Sequence, residues 1–257
     1  MFHAVLFSCA LLTASAFPTV VSRLFEPARE AAPPAFALST TLGSNMVLQR
    51  APQSATVWGF AAAGATVKTS FAGNSYSTTS GADGIWRQTL PPQPATLAPA
   101  TLTFTSSTGE PPLTLANVLF GDVYICSGQS NMQFSVPAMT NSSAEANRAN
   151  DYPAIRLFTV GQGTSSKTPL TDLKTVSQPW AVANNVSVSG GGSFGHFSAV
   201  CWIFGRDIFD GLGGSVPIGV RPPDRYARTA LVCTSRTAAL SAHSLTPLRP
   251  SLSFLLF

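Results

Sequence analysis

A chain of 257 residues that is 45% hydrophobic and 10% charged is long enough to bury a substantial core and too apolar to be intrinsically disordered. Its formal net charge of +4 is confined to residues 220–257, which carry five arginines and one aspartate, so the rest of the chain is neutral. This distribution, without a pattern of interleaved aromatic and arginine residues, argues against a nucleic-acid-binding protein.

The N-terminus has the pattern of a secretory signal peptide. Residues 4–12 form a short apolar run, and the Ala-Ser-Ala triplet at 14–16 supplies the small residues that precede a cleavage site. We therefore predict a signal peptide over residues 1–16, followed by a loose leader over 17–35, rather than a buried N-terminal strand. No run approaches the roughly 20 apolar residues of a transmembrane helix, so we expect no membrane span.

Secretion affects the interpretation of the cysteines and of two sequons. Cys126, Cys201 and Cys233 remain after the signal peptide, and the sequence does not fix which pair forms a disulfide. We favour Cys126 and Cys201 as small buried hydrophobic residues without a bridge. The sequons at Asn141 and Asn185 are the predicted glycosylation sites.

Residues 36–117 have the pattern of a β-sandwich-like module. Short β-prone runs alternate with turns that contain Gly and Pro, a spacing typical of antiparallel sandwiches. The expected strands are residues 46–49, 56–59, 65–71, 75–79, 85–90 and 101–105. In the last of these, Thr alternates with Leu and Phe, so one face of the strand is expected to be buried.

The pattern changes at Val118, where we predict the start of an α/β domain that extends to Gly219. Its dense apolar runs are typical of strands buried on both faces in a parallel sheet. The runs lie at residues 118–125, 155–160 and 216–220. Apolar residues at spacings of three and four predict a helix over 197–212, with Ser198 as its N-cap and glycines at its end. The predicted fold class is α/β, a partial parallel sheet preceded by the sandwich-like module.

The segment 121–132 carries the most informative chemistry. A buried strand runs into a turn that contains Gly128 and Ser130. A serine at the carboxyl end of a parallel strand projects into the crevice where α/β proteins bind ligands, and backbone amides there can stabilise an oxyanion. Ser130 is therefore the candidate nucleophile, with Gly128, Gln129 and Asn131 as support for the turn and the oxyanion site. From spacing alone, an ordinary polar turn with Ser130 as a helix cap fits equally well.

Five sequence blocks, in order along the chain, extend this interpretation. Residues 128–132 (GQSNM), preceded by 121–123 (GDV), resemble the nucleophile block of the sialate O-acetylesterases, members of the SGNH hydrolase superfamily. The other similar blocks are residues 45–50 (NMVLQR), 57–59 (VWG), 155–158 (IRLF) and 197–202 (FSAVCW). The resemblance covers roughly residues 36–219. It implies an SGNH-type α/β/α sheet and a secreted or lysosomal ester hydrolase that removes O-acetyl groups from sialic acids or sialoglycans through a Ser130 acyl-enzyme.

The acid–base part of this chemistry has no match in the sequence. A serine hydroxyl needs a base, usually a histidine oriented by an aspartate, which the family carries as a late Asp-x-x-His block. The histidines here are His3, His196 and His243, and none follows an aspartate at that spacing. His196 lies in a Gly-rich loop and is the predicted substrate contact. Asp122 enters a buried strand, so we assign it a structural role rather than that of the triad acid.

Three functional hypotheses follow. The first is a working acetylesterase that uses His196 or His243 as its base, and the second is a secreted carbohydrate-binding protein without turnover. The third is a catalytically incomplete chain, in which residues 220–257 are an atypical, disordered tail joined at about Gly219 by altered splicing, intron read-through or a frameshift. The family favours the esterase, whereas the missing Asp-x-x-His block favours the third hypothesis for this chain alone. Hydrolysis by this route needs no cofactor, and no cluster of residues has metal-ligand spacing.

Overall fold

The computed structural model describes residues 35–128, 130–161, 166–191 and 197–221. The predicted signal peptide, nearly all of the leader and nearly all of the tail lie outside these residues. Within the described ranges, no helix combines the length and the apolar character that crossing a membrane requires.

Short strands dominate the described part of the chain. The strands are β1 (Ala37–Leu38), β2 (Val47–Gln49), β3 (Thr56–Phe60), β4 (Thr66–Phe71), β5 (Asn74–Thr79), β6 (Ile85–Thr89), β7 (Thr96–Ser106), β8 (Leu113–Ile125), β9 (Ile155–Val160), β10 (Val176–Val182) and β11 (Ile218–Arg221). The helices are α1 (Ser142–Arg148), α2 (Asn185–Ser189) and α3 (Ala199–Gly211), with 3-10 turns at Ser130–Gln133, Val136–Ala138 and Ala149–Asp151. Every predicted strand and the predicted helix are confirmed, most of them with shifted ends, whereas β1, β10, α1 and α2 were not predicted.

Two sheets organise these strands. Strands β1, β3 and β6 form a small antiparallel sheet. The larger mixed sheet has the order β10-β9-β11-β8-β7-β4-β5, and β2 also pairs with β8. Strand β11 is parallel to both β8 and β9, and β2 is parallel to β8, whereas the other pairs in this sheet are antiparallel. The mixed sheet with helices confirms the predicted α/β class.

The β-rich half packs as a sandwich. In β4, Val67, Thr69 and Phe71 are buried while the alternate residues are exposed, which is the pattern of a strand with one solvent face. The ring centroids of Trp86 from the small sheet and Phe104 from the large sheet are 5.5 Å apart. Residues of both sheets therefore share one hydrophobic core.

Strand β8 belongs to both halves of the molecule. Its first part pairs antiparallel with β7, and its last residues, 122–125, pair parallel with β11. The change in sequence character at Val118 therefore falls inside one continuous strand rather than in a linker. The change in sequence character reflects burial. Residues 118–122 are all buried, whereas buried and more exposed residues alternate earlier in β8.

Different layers cover the two faces of the parallel strands. Phe158 and Trp180 turn towards the sandwich, with ring centroids 5.4 Å apart, and join its core. Leu157 and Val220 point to the opposite side and join a core shared with α3. A Cβ atom at Gly205 would lie 3.0 Å from Cγ1 of Val220, so the glycine lets α3 approach β11 closely.

Candidate active site at the end of strand β8

The turn with the predicted nucleophile follows directly on β8. The strand ends at Ile125, and Ser130 begins the 3-10 turn Ser130–Gln133. The amide of Cys126 donates to the carbonyl of Arg221 over 3.0 Å, so the chain keeps alongside β11 for one more residue. The turn thus leaves the carboxyl edge of the parallel strands, the edge at which α/β proteins bind ligands. Gln129 and the side chain of Ser130 lie outside the described residues.

The backbone of the turn requires Gly128. This residue has a φ of 155°, and a Cβ atom there would lie 3.1 Å from Cβ of Met132. A side chain would therefore strain the backbone and crowd the turn, as the prediction of a tight turn implies. Asn131, predicted to support the site, is exposed at the first position after Ser130.

The N-terminus of α3 holds the far side of this turn. Ser198 caps the helix as predicted, because its Oγ accepts the amide proton of Cys201 at 3.2 Å. The same hydroxyl contacts Sδ of Met132 at 3.4 Å. The amide of Ala199 donates to the carbonyl of Phe134 at 2.7 Å. We call these contacts, together with the disulfide described next, the α3 clamp.

A disulfide between Cys126 and Cys201 completes the clamp. Their Cα atoms are 5.9 Å apart, and both residues are buried, with exposures of 1% and 0%. The prediction of two buried cysteines is confirmed, but the prediction that they are unbridged is wrong. The end of β8 and the first turn of α3 meet across 75 residues of sequence, a proximity that periodicity cannot reveal.

Asp122 is fully engaged in a structural contact. Its carboxylate accepts Nε of Arg50 at 2.8 Å and Nη2 at 3.0 Å, a bidentate ion pair. The hydrogen bond with Asp122 raises the pKa of the Arg50 guanidinium. Asp122 is 7% exposed, and its partner follows β2 in the block 45–50. This geometry agrees with the structural role assigned to Asp122.

A second arginine, which is buried, joins the β-rich half to β9. Arg156 is 5% exposed and donates from Nη1 to the carbonyls of Asn45 and Asn117 and from Nε to the carbonyl of Pro153, with distances of 3.2, 3.4 and 3.0 Å. Its Nη2 also reaches Oδ1 of Asn117 at 3.3 Å. Burial lowers the pKa of Arg156. With the Arg50–Asp122 pair, this cluster forms what we call the arginine joint.

The predicted histidines cannot be placed at the turn. His3, His196 and His243 all lie outside the described residues, and His196 belongs to the gap at 192–196. The described ranges also hold no cluster of three or more His, Cys, Asp or Glu side chains that could bind a metal. The assignment of His196 as a substrate contact stays a prediction.

Both predicted glycosylation acceptors are exposed. Asn141 has a φ of 63° and precedes α1, and no hydrogen bond of its side chain caps that helix. Asn185 is the first residue of α2, where Ser187 of the same sequon forms a capping box with Asn184. The geometry leaves both amides accessible, and the modification itself stays a prediction.

No family model matches the chain. The sialate O-acetylesterase of Rattus norvegicus is 36% identical over 198 residues, which are 72% of this chain and 35% of the rat protein. The human sialate O-acetylesterase is 32% identical over 196 residues, which are 72% of this chain and 36% of the human protein. The chain thus spans about a third of the length of the curated relatives it matches.

A solved structure also has a fold similar to that of this chain. The crystal structure of a carbohydrate acetylesterase from Xanthomonas citri has a TM-score of 0.64 and is 28% identical, covering 73% of this chain and 40% of that chain. The sequence blocks and the fold agree with each other. The matched part of this chain is therefore homologous to the sialate O-acetylesterases.

Proposed function

We propose that this chain carries the nucleophile part of a carboxylic ester hydrolase that removes O-acetyl groups from sialic acids or sialoglycans. The observation that carries the proposal is the position of the Ser130 turn. It leaves the carboxyl edge of a parallel sheet and is held there by the α3 clamp. The relatives are named sialate O-acetylesterases and the structural neighbour a carbohydrate acetylesterase, which supports an O-acetylated sugar as substrate.

In this proposal the hydroxyl of Ser130 attacks the acetyl carbonyl as a base takes its proton. The C–O bond to the sugar breaks, the sugar leaves as an alcohol that receives this proton, and water then hydrolyses the acyl-enzyme to acetate. Backbone amides of the turn, supported by Gly128, Gln129 and Asn131, stabilise the oxyanion. We assign His196 to substrate contact, because it precedes Ser198 by two residues and Ser198 touches Met132 in the turn. Hydrolysis by this route uses no metal or organic cofactor.

The test is acetate release from an O-acetylated sialic acid by the purified protein. We expect Ser130→Ala to abolish turnover, a loss of at least about 1,000-fold. Ser215→Ala is the matched control, because Ser215 is an exposed serine outside the turn and is expected to leave turnover unchanged. Equal turnover in the Ser130→Ala variant, or none in the unmodified chain, would contradict the proposal.

The same experiment separates the alternatives. An O-acetyl sialoside that binds the unmodified chain without turnover would support a carbohydrate-binding protein. Absence of both binding and turnover, with no cooperative thermal transition, would support a catalytically incomplete chain that does not fold independently.

We also propose secretion through the signal peptide over residues 1–16. The Cys126–Cys201 disulfide supports it, because such bonds persist in oxidising compartments and are rare in the cytosol. N-terminal sequencing of the protein from secretory cells should begin at Phe17, and removal of N-glycans should shift its electrophoretic mobility. An intact Met1 terminus would contradict the proposal.

A further inference from the structure

A cavity of about 250 Å³ lies beside the small sheet. Strand β3 buries Val57 and Gly59 and leaves Trp58 half-buried on the opposite face. The indole of Trp58 forms one wall of the cavity, and residues 170–175 with Val160 and Thr41 form the rest. This space is slightly smaller than the pockets that hold drug-sized ligands, and its size suits one sugar ring.

The wall formed by residues 170–175 is firmly anchored. The carboxylate of Asp172 accepts hydrogen bonds from Oγ of Ser39, from the amide and Oγ1 of Thr40 and from the amide of Leu173, at distances of 2.8–2.9 Å. The three donors from Ser39 and Thr40 fix the segment to the chain that follows β1. The cavity is therefore preformed, and Asp172 is occupied in building it rather than in meeting a ligand.

The chemistry of the lining suits a sugar. Trp58 has an edge-on contact with Phe60, with ring centroids 5.8 Å apart, which restrains the orientation of the indole. Leu170, 49% exposed, extends the apolar surface. Thr41, Thr171, Lys174 and Thr175 also line the cavity, so its wall is not wholly apolar. An aromatic ring can stack on the C–H face of a pyranose while polar groups bond its hydroxyls, a combination that neither a wholly apolar nor a wholly charged ligand would match.

The cavity lies on the same edge of the sheet as the Ser130 turn. Val220 pairs with both Tyr124 and Leu157, so these three residues are level across the sheet. Val160 in the cavity wall is three residues beyond Leu157, and Ser127 before the turn is three residues beyond Tyr124. Two strand spacings, about 10 Å, separate the backbones at these two positions. Val160 packs on the sandwich face and the turn lies beside α3, so a ligand that reaches both must cross this edge and contain more than one sugar.

We propose that the Trp58 cavity is a second sugar subsite, which binds the sugar to which a sialic acid is linked. The inference rests on the proposed function, because it places the sialic acid at the Ser130 turn. The subsite adds a substrate class to that function, the glycosidically linked sialosides. A linked sialoside should bind this chain more tightly than free sialic acid does. The subsite requires no turnover, so binding tests it separately from hydrolysis.

The experiment is a calorimetric titration of the Ser130→Ala chain with sialyllactose and with free N-acetylneuraminic acid. We expect sialyllactose to bind more tightly and Trp58→Ala to weaken its binding roughly tenfold, with the monosaccharide unaffected. Leu170→Asp, in the exposed part of the lining, should weaken sialyllactose selectively without threatening the core. Leu97→Ala truncates a similarly exposed apolar residue, at 52%, that does not line the cavity, and should change neither affinity.

The outcomes are distinct. Equal affinity for the two sugars, no binding of sialyllactose, or equal weakening of both sugars by Leu170→Asp would each overturn the subsite. Selective weakening of sialyllactose in a chain that releases no acetate would establish the subsite while the proposed hydrolysis fails. Acetate release that depends on Ser130 but not on Trp58 or Leu170, with unaltered binding, would leave the hydrolase and remove the subsite.

Discussion

The parallel strands are fastened to their two neighbouring layers by different chemistry. The arginine joint connects loops of the β-rich half to β9 through the buried guanidinium of Arg156 and to β8 through the partly exposed guanidinium of Arg50. On the helix face, the α3 clamp connects the Ser130 turn to α3 through a disulfide, a helix cap and one backbone hydrogen bond. The joint fixes whole elements, whereas the clamp fixes a few residues around one serine.

This contrast divides four of the five sequence blocks that resemble the family into two classes. Blocks 45–50 and 155–158 supply Arg50, Asn45 and Arg156, which assemble the halves without reaching the turn. Blocks 128–132 and 197–202 form the turn and the clamp. Substitutions in the first class should lower global stability, and those in the second should also loosen the turn locally.

Arg156→Met should have the largest effect. It removes the donors of four hydrogen bonds and leaves the carbonyls of Asn45, Asn117 and Pro153 unsatisfied, so the free energy of unfolding should fall by about 4 kcal/mol. Urea denaturation measures this change. Arg148→Met, an exposed arginine in α1, is the control and should change stability by less than about 0.5 kcal/mol.

Amide hydrogen exchange is the second measurement on the Arg156→Met variant. The amides of residues 126–134 should exchange faster only in proportion to the global loss, because Arg156 does not touch the turn. Selective exchange in the turn, or a stability loss below about 1 kcal/mol, would contradict the division between joint and clamp.

Removing the disulfide should come next. The double change Cys126→Ala with Cys201→Ala should lower the free energy of unfolding by about 3 kcal/mol, since it frees a loop of 75 residues in the unfolded chain. Unlike Arg156→Met, it should accelerate exchange in residues 126–134 beyond the global loss. Cys233→Ala is the cysteine control and should leave both measurements unchanged. An unchanged local rate in the double variant would mean that the disulfide does not hold the turn.

The sequence predicted those parts of the fold that local pattern determines. The spacing of apolar residues located α3, and Ser198 stands where its cap was expected because capping depends on neighbouring residues alone. Strand β10 was not predicted, and it contains Pro179, a residue that argues against a central strand. In the structure β10 lies at the sheet edge, where proline is tolerated.

The candidate site was predicted only in part, because the sequence shows its local pattern but not its distant contacts. The blocks 121–123 and 128–132 identified the turn, and Gly128 has the φ that such a turn demands. The partner of Asp122 lies 72 residues earlier, and the partner of Cys126 lies 75 residues later. Contacts at such separations leave no periodic trace, so a single sequence could assign Asp122 a structural role without naming Arg50.

Asp122→Asn should produce a smaller loss than the disulfide variant. The amide cannot accept both guanidinium donors as a carboxylate does, and the charge of Arg50 is left beside a buried site. Because the Arg50 side chain is 32% exposed, water offsets part of this cost, and we expect about 2 kcal/mol in urea denaturation. Asp207→Asn, at an aspartate with 64% side-chain exposure, is the control. A loss no larger than that control's would show that the pair does not stabilise the joint.

Ser198→Ala should have the smallest global effect and the most local one. Losing the N-cap of α3 costs about 1 kcal/mol, and it also removes the contact with Met132, so exchange in residues 130–134 should rise more than the stability loss predicts. Ser198→Asp restores a cap acceptor but not the hydroxyl donor towards Met132. It should therefore recover stability while the turn stays loosened. If it restores both, capping alone holds the turn and the sulfur contact contributes nothing. If it restores neither, the hydroxyl of Ser198 acts through a contact other than the cap.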